Sequence, residues 1–216
     1  MIGIAIAAGG IPDATLYRCL RSIGDSGIET DYMVASDRHK EEPFSRAACR
    51  NRAMKKLIPH CDKIVCIDVD VLIPPGLVDA ADKYIAPLKA FWAKCYHLKK
   101  FTGEYHWDKW KVGRPYGPGA FIGMTTEDWI RVGGWDERLV GWGHEDTVLR
   151  RMRQKCGIST HCTTFWPLVH VDHAPYSKRS GSRARHNRWI GMHHPPPRNF
   201  LLTDPEPAQQ EHGDSK

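Results

Sequence analysis

"KIVCIDVDVLIPPG", residues 63–76, is an apolar run that carries two aspartates, Asp68 and Asp70, one residue apart and then stops at a proline pair. Its length and β-branched content read as a buried strand. Side chains alternate along a strand, so the two carboxylates are expected to project to one side. Two ionised carboxylates that close repel each other and are costly to bury unless a cation or hydrogen bonds compensate. In open α/β sheets the ends of strands are where ligands bind. The pair is therefore a candidate site for a divalent metal, with hard oxygen ligands suited to Mg²⁺ or Mn²⁺. A solvated turn is the other reading of a lone D-x-D.

Working outward, apolar strand-like runs fall at 2–7, 32–36, 63–69, 90–96, 119–124 and 164–171, with helix-length segments at 13–26 and 44–59. Strands alternating with helices at this spacing predict βαβ units and a parallel sheet. The prolines Pro74 and Pro75 precede a helix in "GLVDAADKYI". Thr125 and Asp128 form a capping box for a short helix that Gly133–Gly134 ends. Val148, Leu149, Met152 and Cys156 share one helical face, and Gly157 supplies the stop. The expected organisation is an α/β domain over 1–173, a basic flexible loop or lid over 174–190, and a proline-rich, partly disordered tail over 191–216.

The 216 residues are 41% hydrophobic and 26% charged, an ordinary globular composition. No stretch approaches the ~18 apolar residues that span a bilayer. The opening "MIGIAIAAGG" lacks a basic n-region and reads as a first strand. Seven cysteines without a CxxC pair suggest reduced thiols, so a cytoplasmic location, bacterial or in a virus-infected cell, is expected. The formal charge of +6 is uneven: residues 174–198 alone carry +6 and no acid, so the remainder sums to zero. A basic strip on a neutral body predicts an anionic ligand nearby, or else a solvated tail.

Two further segments bear chemistry. In "GGWDERLVGWGHEDTVLRRM", residues 133–152, glycines flank Trp135 and Trp142, and Glu145–Asp146 open a helix, where acids also suit the helix dipole. "WPLVHVDH", residues 166–173, is a strand ending in His170, Asp172 and His173, and its histidines are candidate imidazole ligands.

In this order, D-V-D with L-I-P, then G-G-W-D-E, then W-G-x-E-D, then a histidine resembles the metal-dependent GT-A glycosyltransferases. The similarity is to the β-1,4-galactosyltransferases and the peptide N-acetylgalactosaminyltransferases. Phe44-Ser45-Arg46-Ala47 also resembles the galactosyltransferases' F-N-R-A. The resemblance implies a GT-A fold, a Rossmann-like mixed sheet flanked by helices. It also implies Mn²⁺ or Mg²⁺ and transfer of a hexose or N-acetylhexosamine from a UDP-sugar to an acceptor hydroxyl. Asp70 would bind the metal, Asp68 would reach it through water or hold the ribose, and His170 would complete the site. His173, three residues on, would be a second ligand if the galactosyltransferase spacing applies. Asp146 would be the base of an inverting transfer, with Glu145 holding the acceptor or sugar. Trp142, followed by Gly143, would stack on a sugar. Arg46 carries the match to the nucleotide-contacting segment, and Asp37 occupies the region where relatives contact base or ribose.

Three further donor contacts follow from the residues. Asn51 sits on an otherwise apolar helical stripe with Ala47, Met54 and Ile58, so its amide needs backbone or a bound nucleotide. The Ala8–Gly9–Gly10 loop allows close backbone approach. The basic stretch with Lys178 and Arg179 is placed to close over a pyrophosphate.

Neither a membrane anchor, a lectin domain nor a secretory cysteine framework is expected from these residues, and the acceptor (protein, glycan or modified nucleic acid) stays open. Two rival readings are an aspartate-nucleophile phosphatase using Asp68 and Asp70, and a nucleic-acid-binding module built on the Arg/His/Trp-rich stretch.

Overall fold

The computed structural model describes residues 1–8, 13–27, 32–37, 45–98, 115–116, 120–141, 143–171, 181–193 and 199–202. In chain order the elements are β1 (Ile2–Ala7), α1 (Asp13–Gly24), β2 (Tyr32–Asp37), α2 (Arg46–Leu57), β3 (Lys63–Asp68), β4 (Val71–Leu72) and α3 (Leu77–Tyr84). They continue as β5 (Lys89–Leu98), β6 (Pro115–Tyr116), β7 (Phe121–Thr125), α4 (Thr126–Val132), α5 (Glu145–Lys155), β8 (Ser159–Val171) and α6 (Gly181–His193).

The strands join one mixed sheet in the order β2-β1-β3-β7-β5-β8-β4, with β6 on β5. β2, β1 and β3 are parallel, as the βαβ spacing predicts. Beyond β3 the sheet becomes mixed, as the GT-A resemblance implies: β7 runs antiparallel to both β3 and β5, β8 is parallel to β5, and β4 is antiparallel to β8. These antiparallel neighbours, β3 with β7, β5 with β7 and β4 with β8, are each separated by more than 20 residues, so no single βα crossover dictates their direction.

Every residue of β1 is buried, since helices cover both faces of the sheet at this point. One core layer gathers Ile4, Ile6, Val65, Ile67, Phe91 and Phe121. The other gathers Met54, Leu57, Ile64, Cys66, Trp129 and Trp135 beneath α2 and α4. The Thr125 capping signal is realised: its hydroxyl accepts from Asp128 N–H at 3.1 Å, and Gly133 ends the helix in the left-handed region at φ 84°. The seven cysteines are not joined in disulfides. Among the described residues no helix is long and apolar enough to cross a membrane.

Two boundaries differ from expectation. Residues 181–193, expected as part of a flexible loop and tail, form α6, which packs Ile190 against Leu139 and Val148. Residues 199–202, expected in the tail, return to the body: Phe200 N–H donates to Gly133 O at 3.0 Å, and Leu201 is buried beside α4. Apolar pairs at long sequence separation outweigh the local polar composition in both places.

Candidate active site

The strand through 63–69 ends one residue early, at Asp68, and Val69–Asp70 form a turn into β4. The strict alternation expected for the two aspartates is therefore replaced by a turn in which Val69 is buried. β4 then pairs with β8 so that Val71 lies opposite His170, and Val171 N–H donates to Asp70 O at 2.9 Å. This register sets His170 Nε2 3.1 Å from Asp70 Oδ2, with each side chain 16% exposed. A carboxylate and an imidazole held together at a partly buried surface offer the oxygen and nitrogen donors that Mn²⁺ accepts. Among the described residues no group of three His, Cys, Asp or Glu side chains converges as a metal site. His173 lies outside the described residues.

Asp68 closes β3 next to Ala7 of β1, whose other neighbour is Asp37 of β2. Arg46 and Arg50 are one turn apart on α2, so both reach it. Arg50 Nη2 donates to Asp68 Oδ1 at 2.5 Å and Arg46 Nη1 to Oδ2 at 3.5 Å. Arg50 is 1% exposed and its guanidinium lies 4.0 Å from the Trp135 ring centroid. A delocalised cation between a carboxylate and an aromatic face is a favourable way to bury that charge.

Ser45 caps α2, its hydroxyl accepting from Ala48 N–H at 3.2 Å, and bridges to Gly141 as a short parallel ladder. The F-S-R-A segment is thereby tied to the W-G-x-E segment. Gly143 has φ 111°, a conformation closed to side chains, and its N–H turns back to Glu145 Oε2 at 2.9 Å. Glu145 Oε1 is buried with no hydrogen-bond partner among the described residues, which leaves an acceptor for a ligand hydroxyl.

Asp146 follows on the first turn of α5. Burial pushes its carboxyl up to about 7; Glu145 and Asp68 push the same way, while Arg50 and Arg46 oppose them. Arg46 sits in the field of Asp68, Glu145, Asp70 and Asp146, which together hold its guanidinium charged despite burial. Arg46 thus lies within electrostatic reach of carboxylates from both the D-V-D and the W-G-x-E-D segments.

Asn51 is corrected. It is fully buried, and its amide donates to Trp135 O and Glu137 Oε1, both at 2.8 Å, and accepts from Trp135 N–H at 2.9 Å. With both donors engaged it anchors the G-G-W-D-E loop rather than contacting a nucleotide. Gly134 makes that approach possible: at φ 76°, a Cβ there would stand 2.7 Å from Asn51 Oδ1. Trp135 is a core tryptophan, 6.1 Å from Trp129 between ring centroids.

Ala8 is buried at the end of β1. Gly9, Trp142, Lys178 and Arg179 lie outside the described residues, and of Asp37 only the strand position is described. Arg50, the main partner of Asp68, lies on the same helix as Arg46 and Asn51 but carries no motif that assigns it a role. Its spacing of four from Arg46 was the available signal.

A family model described as the N-terminal domain of galactosyltransferase matches residues 104–174, about a third of the chain. That span contains G-G-W-D-E, W-G-x-E-D and His170. No curated protein sequence matches significantly. Among solved structures, the catalytic domain of Drosophila beta1,4-galactosyltransferase 7 in complex with xylobiose superposes with TM-score 0.58 at 18% identity, covering 87% of this chain and 80% of that one. A mutant of the same Drosophila enzyme in complex with manganese, UDP-Gal and xylobiose gives TM-score 0.58 at 16% identity, with the same coverage. GalNAc-T7 with UDP, GalNAc and Mn²⁺ gives TM-score 0.58 at 12% identity, covering 88% of this chain and 48% of that one. The chain has the GT-A glycosyltransferase fold, and within it residues 104–174 match the galactosyltransferase domain to which the ordered motifs pointed.

Proposed function

We propose that the protein is a metal-dependent glycosyltransferase that moves a hexose or N-acetylhexosamine from a UDP-sugar to an acceptor hydroxyl with inversion. The observation that carries this reading is the Asp70–His170 pair, 3.1 Å apart, in a fold whose other acids surround Arg46. Asp70 and His170 would hold Mn²⁺ or Mg²⁺, with His173 as a further candidate ligand. The bound cation would stabilise the charge that develops on the departing diphosphate.

The chain's own residues supply the rest. Arg46 and Arg50 fix Asp68, whose carboxylate would face the donor's ribose or the metal site. Asp146, with its carboxyl near 7, takes the acceptor proton as the hydroxyl oxygen bonds to the anomeric carbon. The bond from that carbon to the diphosphate breaks, and its electron pair leaves with the diphosphate. Glu145 uses its unoccupied Oε1 to accept from a sugar hydroxyl and orient it. Trp142 would stack on a sugar, beside the left-handed Gly143, and Asp37 and the Ala8–Gly9 backbone would line the nucleotide end. Lys178 and Arg179 would add cationic charge near the pyrophosphate.

A thermal-shift screen of nucleotide sugars with and without Mn²⁺ tests the assignment. A donor at 100 times its Kd stabilises the fold by about 2.7 kcal/mol. Stabilisation by a UDP-sugar only with Mn²⁺ supports the reading; none with any nucleotide sugar refutes it.

A further inference from the structure

α6 is an unusual helix for a protein surface. Among its described side chains, Asn187 and Ile190 are buried, beside the backbone of Gly191. Asn187 donates to Val140 O at 3.1 Å and Gly143 O at 3.2 Å, and Arg151 Nη1 of α5 donates to Gly191 O at 2.9 Å. Gly191 packs so closely that a Cβ would stand 2.5 Å from Val148. The helix is thus fixed to the loop that carries Gly143, whose N–H holds Glu145.

The opposite side faces outward. Arg185, Arg188, Trp189 and Met192, spaced three, one and three residues apart, fall within about 100° of the helix circumference and are all exposed. Beside them, flanking the Val148 side of α5 on which α6 packs, Arg151 and Lys155 are exposed. Neither helix bears an acid after Asp146, and residues 174–198 carry five arginines and one lysine without an acid. A surface of one sign, on a body whose other residues sum to zero, complements a polyanion.

Among polyanions the composition discriminates. Arginine forks match phosphate bidentately, and a tryptophan set among them offers a ring on which a base can stack. An interfacial membrane helix needs a continuous apolar face. Here the outward side has Trp189 and Met192 interrupted by two arginines, and the apolar Ile190 is turned inward. We propose that the outward face of α6, with the adjoining Arg151 and Lys155 of α5, binds a nucleic-acid strand, and that the acceptor hydroxyl is carried on that strand. The acceptor half of this inference rests on the glycosyltransferase reading, and the binding half does not. In the transfer, an oxygen of the strand forms the new bond to the anomeric carbon, its proton passes to Asp146, and the sugar–diphosphate bond breaks with its electrons on the diphosphate.

The full chain is titrated against a fluorescein-labelled, mixed-sequence, single-stranded DNA of about 20 nucleotides, by anisotropy at several salt concentrations. Binding should weaken as salt rises. R185Q/R188Q should weaken it at least about tenfold and flatten the slope of log K against log salt by about 1.4. W189A should weaken it about tenfold with the slope unchanged. These substitutions are exposed, and equal melting temperatures confirm that the variants are folded. Absence of binding at low salt, equal binding by all variants, or capture on anionic phosphatidylglycerol vesicles without DNA binding would overturn the proposal. UDP-sugar stabilisation measured on the same variants separates the two readings. Donor binding kept while DNA binding is absent refutes the surface alone. DNA binding kept while no nucleotide sugar binds leaves the surface standing and refutes the nucleic-acid acceptor together with glycosyl transfer.

Discussion

Arg50 Nη2 sits 2.5 Å from Asp68 Oδ1 while its guanidinium covers the face of Trp135 at 4.0 Å, so one buried cation connects the D-V-D strand to the G-G-W-D-E loop. The contact joins residues that sequence distance separates widely, and it holds the first aspartate of the pair at a defined angle. The second aspartate is then free to turn toward β8.

Removing that cation leaves Asp68 without its principal partner and opens space beside Trp135. Arg50→Met should cost about 3 kcal/mol of unfolding free energy, within the range for breaking a buried pair from one side. Asp68→Asn in the same background should recover part of the loss. Urea denaturation of the wild type and the two variants measures both; a loss below about 1 kcal/mol would show that the pair is energetically idle.

Asp146 links stability to pH. Its carboxyl is raised from 3.8 to about 7, chiefly by burial, so the folded state binds a proton more tightly than the unfolded chain. Its favourable contribution is complete below pH ~4 and is lost as pH rises through about 7. Asp146→Asn should therefore leave the metal-free protein unchanged at pH 4 and stabilise it at pH 8, by at most about 4 kcal/mol. Melting temperatures across this window give the sign directly. The same substitution should lower glycosyl transfer at least about 100-fold while donor-induced stabilisation persists.

Gly134→Ala places a Cβ against Asn51 Oδ1 at a backbone angle that L side chains rarely adopt. A loss of about 1–3 kcal/mol is expected from the strained backbone. Asn51→Ala should cost a similar amount, because Trp135 N–H and O lose their partner, and the two losses should be less than additive. Additive losses in a double-mutant cycle would contradict the anchoring role.

Leu201, near the end of the described chain, is 6% exposed in the layer beneath α4. Leu201→Ala should destabilise the protein by about 2 kcal/mol. A change within about 0.5 kcal/mol, the size of an ordinary surface substitution, would mean that the segment does not belong to the core.

What the sequence made legible follows from periodicity and punctuation. β1, β2 and β3 are uniform apolar runs, and α2, α4 and α5 begin or end at caps that can be read, so their positions agree with expectation. The ordered motifs likewise brought Asp70, His170, Glu145 and Asp146 to attention. The antiparallel placement of β7 and β4 was not legible, because strand direction depends on partners elsewhere in the chain. The turn at Val69–Asp70 was hidden by apolar residues on both sides of it. α6 was missed because only Ile190 and Asn187 mark its buried side, too few for a helical stripe among arginines. Asn51 was ambiguous for a different reason: a polar side chain on an apolar stripe announces that it has partners, not which ones.

The central claim is that Asp70 and His170 bind one divalent cation to which a nucleoside diphosphate attaches. Calorimetric titration of UDP into the protein, with Mn²⁺ and with EDTA, tests it, repeated on folded His170→Ala and Asp70→Asn variants. The account predicts UDP binding that requires Mn²⁺ and falls at least about tenfold in each variant, a loss of about 1.4 kcal/mol or more. Metal-dependent UDP binding of unchanged strength in both variants would contradict it.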